Sequence, residues 1–199
     1  MSLYNSGNRA LQDRFDSRRL ADRLEERIVR PVLAPDQQAF VESVDCFFLA
    51  SADAEGRPTC SYKGGDPGFL RVVDEATLAF PCYDGNGMFL SMGNVLENPA
   101  VGLLLLDFER AHRMRIQGDA SIDLDDPLLA DYPEAKFMVR VAVREVFPNC
   151  PRYIHKRTLV ERSAFVPREG CDTPVPDWKR SPLAEGVLPE GDPALPSSS

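Results

Sequence analysis

The middle of the chain alternates apolar and polar residues with a period of two, and that pattern predicts strands. Cys46 to Ala52 reads as a buried strand. Asp53-Ala54-Glu55-Gly56 turns the chain, and Arg57 to Tyr62 returns antiparallel. Phe69 to Val73 and Thr77 to Tyr83 form a second hairpin across Asp74-Glu75. Ala100 to Phe108, His112 to Ile122 and Lys136 to Phe147 complete the set, the last with Phe137, Val139, Val141 and Val143 on one face. Residues 9 to 30 follow a different rhythm. Leu11, Phe15, Leu20, Leu24 and Ile28 recur mostly four apart among charged residues, which predicts one helix with a narrow apolar stripe, ended by Pro31 and Pro35. Such a stripe needs cover, from the barrel or from a second subunit. Asp36 is placed to cap a short helix through Ser43, with Phe40, Val41 and Val44 inward. A further helix follows Asp84-Gly85-Asn86-Gly87, with Phe89, Met92, Val95 and Leu96 on its apolar face and Asn98-Pro99 as its stop. Six or more short strands with few helices favour a mainly β fold, a closed or nearly closed barrel with peripheral helices.

The boundaries follow from the same reading. Residues 1–35 form an N-terminal helical arm, 36–168 the barrel domain, and 169–199 a Pro-rich C-terminal arm or tail with six prolines after Gly170 and a terminal Ser-Ser-Ser. Residues 152 to 160 fit neither period. The net charge of −8 disfavours a nucleic-acid partner, because an acidic chain repels phosphate backbones. No apolar run reaches the roughly 18 residues of a membrane helix, and the first nineteen residues are too polar for a signal peptide. The expectation is a cytoplasmic protein without a membrane partner. Five cysteines without a C-x-x-C pair suit reduced thiols, and two distant histidines give no metal-ligand spacing.

No nucleophile elbow, phosphate loop or dinucleotide fingerprint is present, and no catalytic residue can be named. Two segments nevertheless combine groups that bind anions. Thr59-Cys60-Ser61-Tyr62-Lys63-Gly64-Gly65 ends a strand in an ammonium and two glycines. Tyr83-Asp84-Gly85-Asn86-Gly87-Met88 joins a strand to a helix, where free N–H groups and the positive end of a helix dipole converge. An equally good account of the second segment is purely structural, with Gly85 and Gly87 serving the turn and Asn86 capping the helix. Cys60 and Cys82 lie near these glycine-rich loops, and either lines a pocket or fills space as a small hydrophobe. Arg113 and Arg115 share one face of their strand, toward solvent or toward an anionic ligand.

The stretches FFLASADAEGRPTCSYKGG, LAFPCYDGNGMFLSMGNVLENPAVGLLLLDF and HRMRIQGDASI together resemble the pyridoxamine 5′-phosphate oxidase-like family of flavin-binding split barrels, well over residues 38–122 and more loosely through VAVREVFPNCPRYIH. The resemblance implies a six-stranded Greek-key split β-barrel with peripheral α-helices, a homodimer, and FMN at the subunit interface. It implies that Thr59, Cys60, Ser61, Tyr62 and Lys63 run beside the flavin ring, that Pro81 and Cys82 border it, and that Asn86, Gly87 and Met88 hold the phosphate. It further implies that Arg113 reaches the cofactor, often across the interface, and that Lys63 contacts the substrate. The true oxidases carry an arginine and a lysine where Gly87 and Met88 stand, and an arginine near Pro58. Lys63, Arg71, Arg113 or Arg115 are the candidates to replace those cations. The expected function is an FMN-dependent oxidoreductase passing a hydride or electrons to or from an unknown small molecule, with NAD(P)H as a candidate donor. The alternatives are a non-catalytic flavin, haem or F420 carrier or sensor, and an interaction module with a vestigial pocket.

Overall fold

The computed structural model describes residues 2–195. The terminal Ser-Ser-Ser lies outside them. The chain divides into two compact units, the first ending at Leu159 and the second beginning at Val160. The first holds four α-helices and a single seven-stranded antiparallel sheet. The strands are β1 (Cys46–Ala52), β2 (Pro58–Gly64), β3 (Arg71–Asp74), β4 (Thr77–Cys82), β5 (Ala100–Asp107), β6 (His112–Asp123) and β7 (Phe137–Pro148), in the order β2-β1-β5-β6-β7-β4-β3. The six strands that the resemblance implies become seven because the short β3 adds to the outer edge of β4.

The sheet does not lie flat. β1 and β4 stand four places apart, about 19 Å in a flat sheet. Yet the rings of Phe47 on β1 and Phe80 on β4 meet edge to face with centroids 5.1 Å apart. The sheet therefore curls around a core of inward residues: Phe47 and Leu49, Leu103 and Leu105, Met114 and Ile116, Leu78 and Phe80, Val139 and Val141, all nearly inaccessible to water. Gly118 lies at a register shift between β6 and β7, where a Cβ would sit 2.3 Å from the Ala142 carbonyl oxygen. Only glycine admits that approach.

The helices depart from the sequence reading at their ends. The single predicted N-terminal helix is two, α1 (Ser6–Arg14) and α2 (Arg18–Ile28). Asp16 takes a left-handed φ of 49° between them, a conformation that aspartate tolerates. Arg18 reaches back across the break to Asp13 at 2.5 and 2.6 Å. Neither helix buries a residue. Helix α3 (Pro35–Ser43) starts before the predicted cap Asp36, because Pro35 suits the first helical position and Gln37 accepts from the Ala34 N–H at 2.9 Å. Helix α4 (Leu90–Glu97) buries Ser91, Met92 and Val95, whereas Phe89 and Leu96, predicted inward, are exposed. Residues 152–159 form no strand or helix. The second unit carries a short 3-10 helix (Asp177–Arg180) and a buried Lys179–Asp192 ion pair at 2.7 Å. Among the described residues no helix is long and apolar enough to cross a membrane.

Candidate functional site

Besides the outer edge of the terminal strand β3, two strand edges in this sheet lack a neighbour along some or all of their length among the described residues. β2 pairs with β1 alone, so its outer row of backbone N–H and C=O groups is open. β4 pairs with β7 along its whole length but with β3 only as far as Ala79, so its other edge is open from Phe80 to Cys82. Curling brings the two together. Lys63 is the register partner of Phe47, whose ring meets Phe80. The Lys63 ammonium and the Cys82 thiol lie close enough for each to act on the other's charge. A slot between two open edges is a place for a flat ligand with hydrogen-bonding rims.

The residues along the slot have distinct states. Burial pushes the Lys63 ammonium below its ordinary pKa, and Cys82 opposes that shift. The Lys63 ammonium has no hydrogen-bond or ion-pair partner among the described residues. Burial likewise pushes the Cys82 thiol up, with Lys63 and Lys136 drawing it back, so Cys82 remains an uncharged thiol at neutral pH. Tyr83 is pushed up to about 12 by burial and stays a phenol. Lys136 pairs with Asp84 at 2.9 Å, and its N–H donates to the Cys82 carbonyl at 2.9 Å. Pro81 is buried and offers no N–H.

At one end of the slot the chain turns through Asn86, Gly87 and Met88. All three are exposed, Gly87 has a left-handed φ of 76°, and the Met88 N–H donates to Asn86 Oδ1 at 3.1 Å. Helix α4 then starts from Phe89, itself left-handed at φ 48°, with no side chain capping it. Its first-turn N–H groups are left open, a seat for an anion.

The candidates on β2 divide by face. Thr59, Ser61 and Lys63 turn inward, while Cys60 and Tyr62 are exposed on the outer face. The Thr59 and Ser61 hydroxyls are already engaged. Ser61 bonds the Ser91 hydroxyl on α4, and Thr59 bonds Ser51 at 3.0 Å, with Asn94 of α4 donating to both Thr59 and Ser51 at 3.2 Å. Their side chains hold α4 against β2, and only their backbone groups face the slot. Sequence reasoning missed Ser91 and Asn94. Their signal was polarity at i and i+3 beside the buried Met92 and Val95.

Arg113 and Arg115 are not brought to this slot. They alternate with the buried Met114 and Ile116, and register places them on the outer face in rows with Leu106 and Leu104. That face also carries Phe48, Ala50, Gly102 and Tyr62, whose ring meets Phe48 edge to face at 5.9 Å. Arg113 Nε and Asn149 Oδ1 are buried atoms with no partner, although the Asn149 N–H donates to the Arg113 carbonyl at 3.2 Å. Arg71 is occupied by Asp131. Among the described residues no three His, Cys, Asp or Glu side chains gather where they could hold a metal ion.

A family model described as pyridoxamine 5′-phosphate oxidase matches residues 33–164. No curated protein matches the sequence. Among solved structures the chain is similar to HupZ of Group A Streptococcus, at 18% identity over 58% of this chain and 94% of that one, with a TM-score of 0.47. It is similar to HutZ, a heme storage protein of Vibrio cholerae, at 19% identity over 58% and 94%, with a TM-score of 0.43. An FMN-binding protein of Syntrophomonas wolfei aligns at 11% identity over 70% of this chain and 97% of that one, with a TM-score of 0.45.

Proposed function

The chain belongs to the pyridoxamine 5′-phosphate oxidase family, and from that premise we propose that it is a homodimeric FMN-binding oxidoreductase that exchanges a hydride or electrons with a small molecule, NAD(P)H being the candidate donor. The observation that carries this reading is the pair of open strand edges meeting at Lys63 and Cys82 beside an uncapped helix start. The residues present fit the group on both of its chemical ends. The free N–H and C=O row from Thr59 to Lys63 matches the hydrogen-bonding rim of an isoalloxazine ring, and the open amides after Asn86, Gly87 and Met88 match a phosphate. When bound, the flavin supplies the redox chemistry.

The chain's own part is binding and orientation. Pro81 and Cys82 wall the slot without charge, and the unpaired Lys63 offers a cation to the ring edge or to the substrate. Arg113 and Arg115 belong to the outer sheet face, so in this reading they serve the flavin of the partner subunit. The unpartnered Nε of Arg113 is a donor in need of such an acceptor. The outer face itself, with Phe48, Leu104 and the small Ala50 and Gly102, is the surface on which the two subunits meet. Five thiols outside any disulfide suit a reducing, cytoplasmic setting.

Titration of FMN with purified protein tests the proposal. Stoichiometric quenching of flavin fluorescence is expected, followed by bleaching of the flavin band on mixing with NADH or NADPH. Absence of quenching overturns the flavin assignment. Quenching without reduction by any donor leaves a flavin carrier rather than an enzyme. The dimer is tested separately by Gly102→Glu, because the nearest atom to a Cβ there is Ala50 Cβ at 3.8 Å and one protomer has room for the side chain. A monomer in sedimentation with an unchanged far-ultraviolet circular dichroism spectrum is expected, and an unaltered dimer removes this face as the interface.

A further inference from the structure

The N-terminal helices α1 and α2 pack on each other and leave their apolar stripe uncovered. Leu11, Phe15, Leu20 and Leu24 are all exposed, Phe15 at 72%, and neither helix buries a residue against the sheet. The hairpin is tethered just beyond its end, where Arg30 forms a two-way bridge with Val146 of β7 at 3.0 and 2.8 Å. Val146 is the register partner of Ile116 on β6, next to Arg115. The arm thus leaves the sheet beside the strand that borders the uncovered outer face.

Charge adds a second argument. Residues 1–30 hold seven arginines against five carboxylates, while the rest of the chain holds 16 Lys and Arg against 26 Asp and Glu. Within the arm Arg9, Arg18, Arg19 and Arg23 are matched to carboxylates, and Arg30 bonds the carbonyls that end α2. Arg14 and Arg27 have no such partner among the described residues. They stand three residues after Leu11 and Leu24, so each flanks the apolar stripe. A cationic, apolar face is complementary to an anionic body, and the remainder of a second copy of this chain, with 16 Lys and Arg against 26 Asp and Glu, is one.

We infer that the α1–α2 hairpin is an exchanged arm, docking its stripe onto the body of the partner subunit. The inference rests on the homodimer proposed above and assigns the arm a place in it. Two measurements on the full-length protein test it. In the first, Phe15→p-benzoylphenylalanine protein is prepared light and isotopically heavy, the two are mixed, and cross-links are read by mass spectrometry. Heavy–light cross-links from position 15 are expected. In the second, Phe15→Ser/Leu20→Ser, at sites already exposed to water, is compared with the wild type by sedimentation equilibrium. The dimer dissociation constant is expected to rise about tenfold or more, the loss that follows from withdrawing one large buried side chain. Cross-links confined to one copy, or an unchanged dissociation constant in a protein that still dimerises, overturn the exchanged arm and leave the dimer standing. A wild type that stays monomeric at every concentration overturns both.

Discussion

Lys63 is an ammonium that burial penalises and that no carboxylate compensates. Two opposite consequences follow from replacing it. Its pKa is lower folded than unfolded, so the unfolded chain binds more protons between the lowered value and the ordinary lysine value near ~10.4, and Lys63 makes stability rise with pH across that window. Below the window the charged form is a cost to the fold throughout. Lys63→Met keeps the stem and removes the charge, so the flavin-free variant should melt at a higher temperature at neutral pH and lose part of its gain in stability toward alkaline pH. FMN affinity should fall about tenfold, the loss of one charge-assisted hydrogen bond. Thermal unfolding across pH and a fluorescence titration read the two effects. A drop in both stability and affinity makes Lys63 a structural residue instead. At this scale the sequence exposed Lys63 and the turn at Asn86, because a cation before two glycines and a glycine-bracketed asparagine stand out locally. The engagement of Thr59 and Ser61 with Asn94 and Ser91 was hidden, since it joins residues 30 or more positions apart.

Among the elements, the strands were the most legible because alternation carries its own signal. β1 runs over the predicted Cys46 to Ala52, and β5 and β6 end within one residue of expectation. Helix ends were less legible, for local reasons: Asp16 accepts a left-handed turn inside an unbroken stripe, and Pro35 moves the start of α3. Two glycines illustrate what composition conceals. Gly93 lies within α4 with nothing within 4 Å of a Cβ, so Gly93→Ala should stabilise the protein by roughly 0.5–1 kcal/mol through helix propensity. A Cβ on Gly118 would lie 2.3 Å from the Ala142 carbonyl oxygen, so Gly118→Ala must part β6 from β7 and should cost roughly 1–3 kcal/mol or more. Urea unfolding of the two variants decides it. Similar shifts of one sign would mean that β6 and β7 tolerate a side chain at the register change.

At the scale of the molecule, alternation tells which residues share a face but not which face the fold leaves uncovered; that depends on strand order, and pairs such as β1 with β5 or β4 with β7 join segments distant in sequence. Arg113 and Arg115 show the difference. Their common face was legible, and only the curled sheet reveals that it is the face opposite Lys63. Within one protomer these arginines and Lys63 lie on opposite faces of the sheet, so in the proposed dimer the arginines serve the ligand of the partner subunit. Hybrid dimers separate the two arrangements. Lys63→Met protein and Arg113→Ala/Arg115→Ala protein should each bind FMN weakly alone. A hybrid of the two regains one intact site if the arginines cross the interface, because the subunit retaining Lys63 is then served by the subunit retaining Arg113 and Arg115. If the arginines serve their own chain, neither site of the hybrid is whole. Differently tagged chains, purified as the hybrid and titrated with FMN, should show one tight site per dimer. A hybrid with no tight site would mean that the arginines serve their own chain, and undiminished FMN binding by the Arg113→Ala/Arg115→Ala protein alone would return both to the solvent-facing role that their strand position allows.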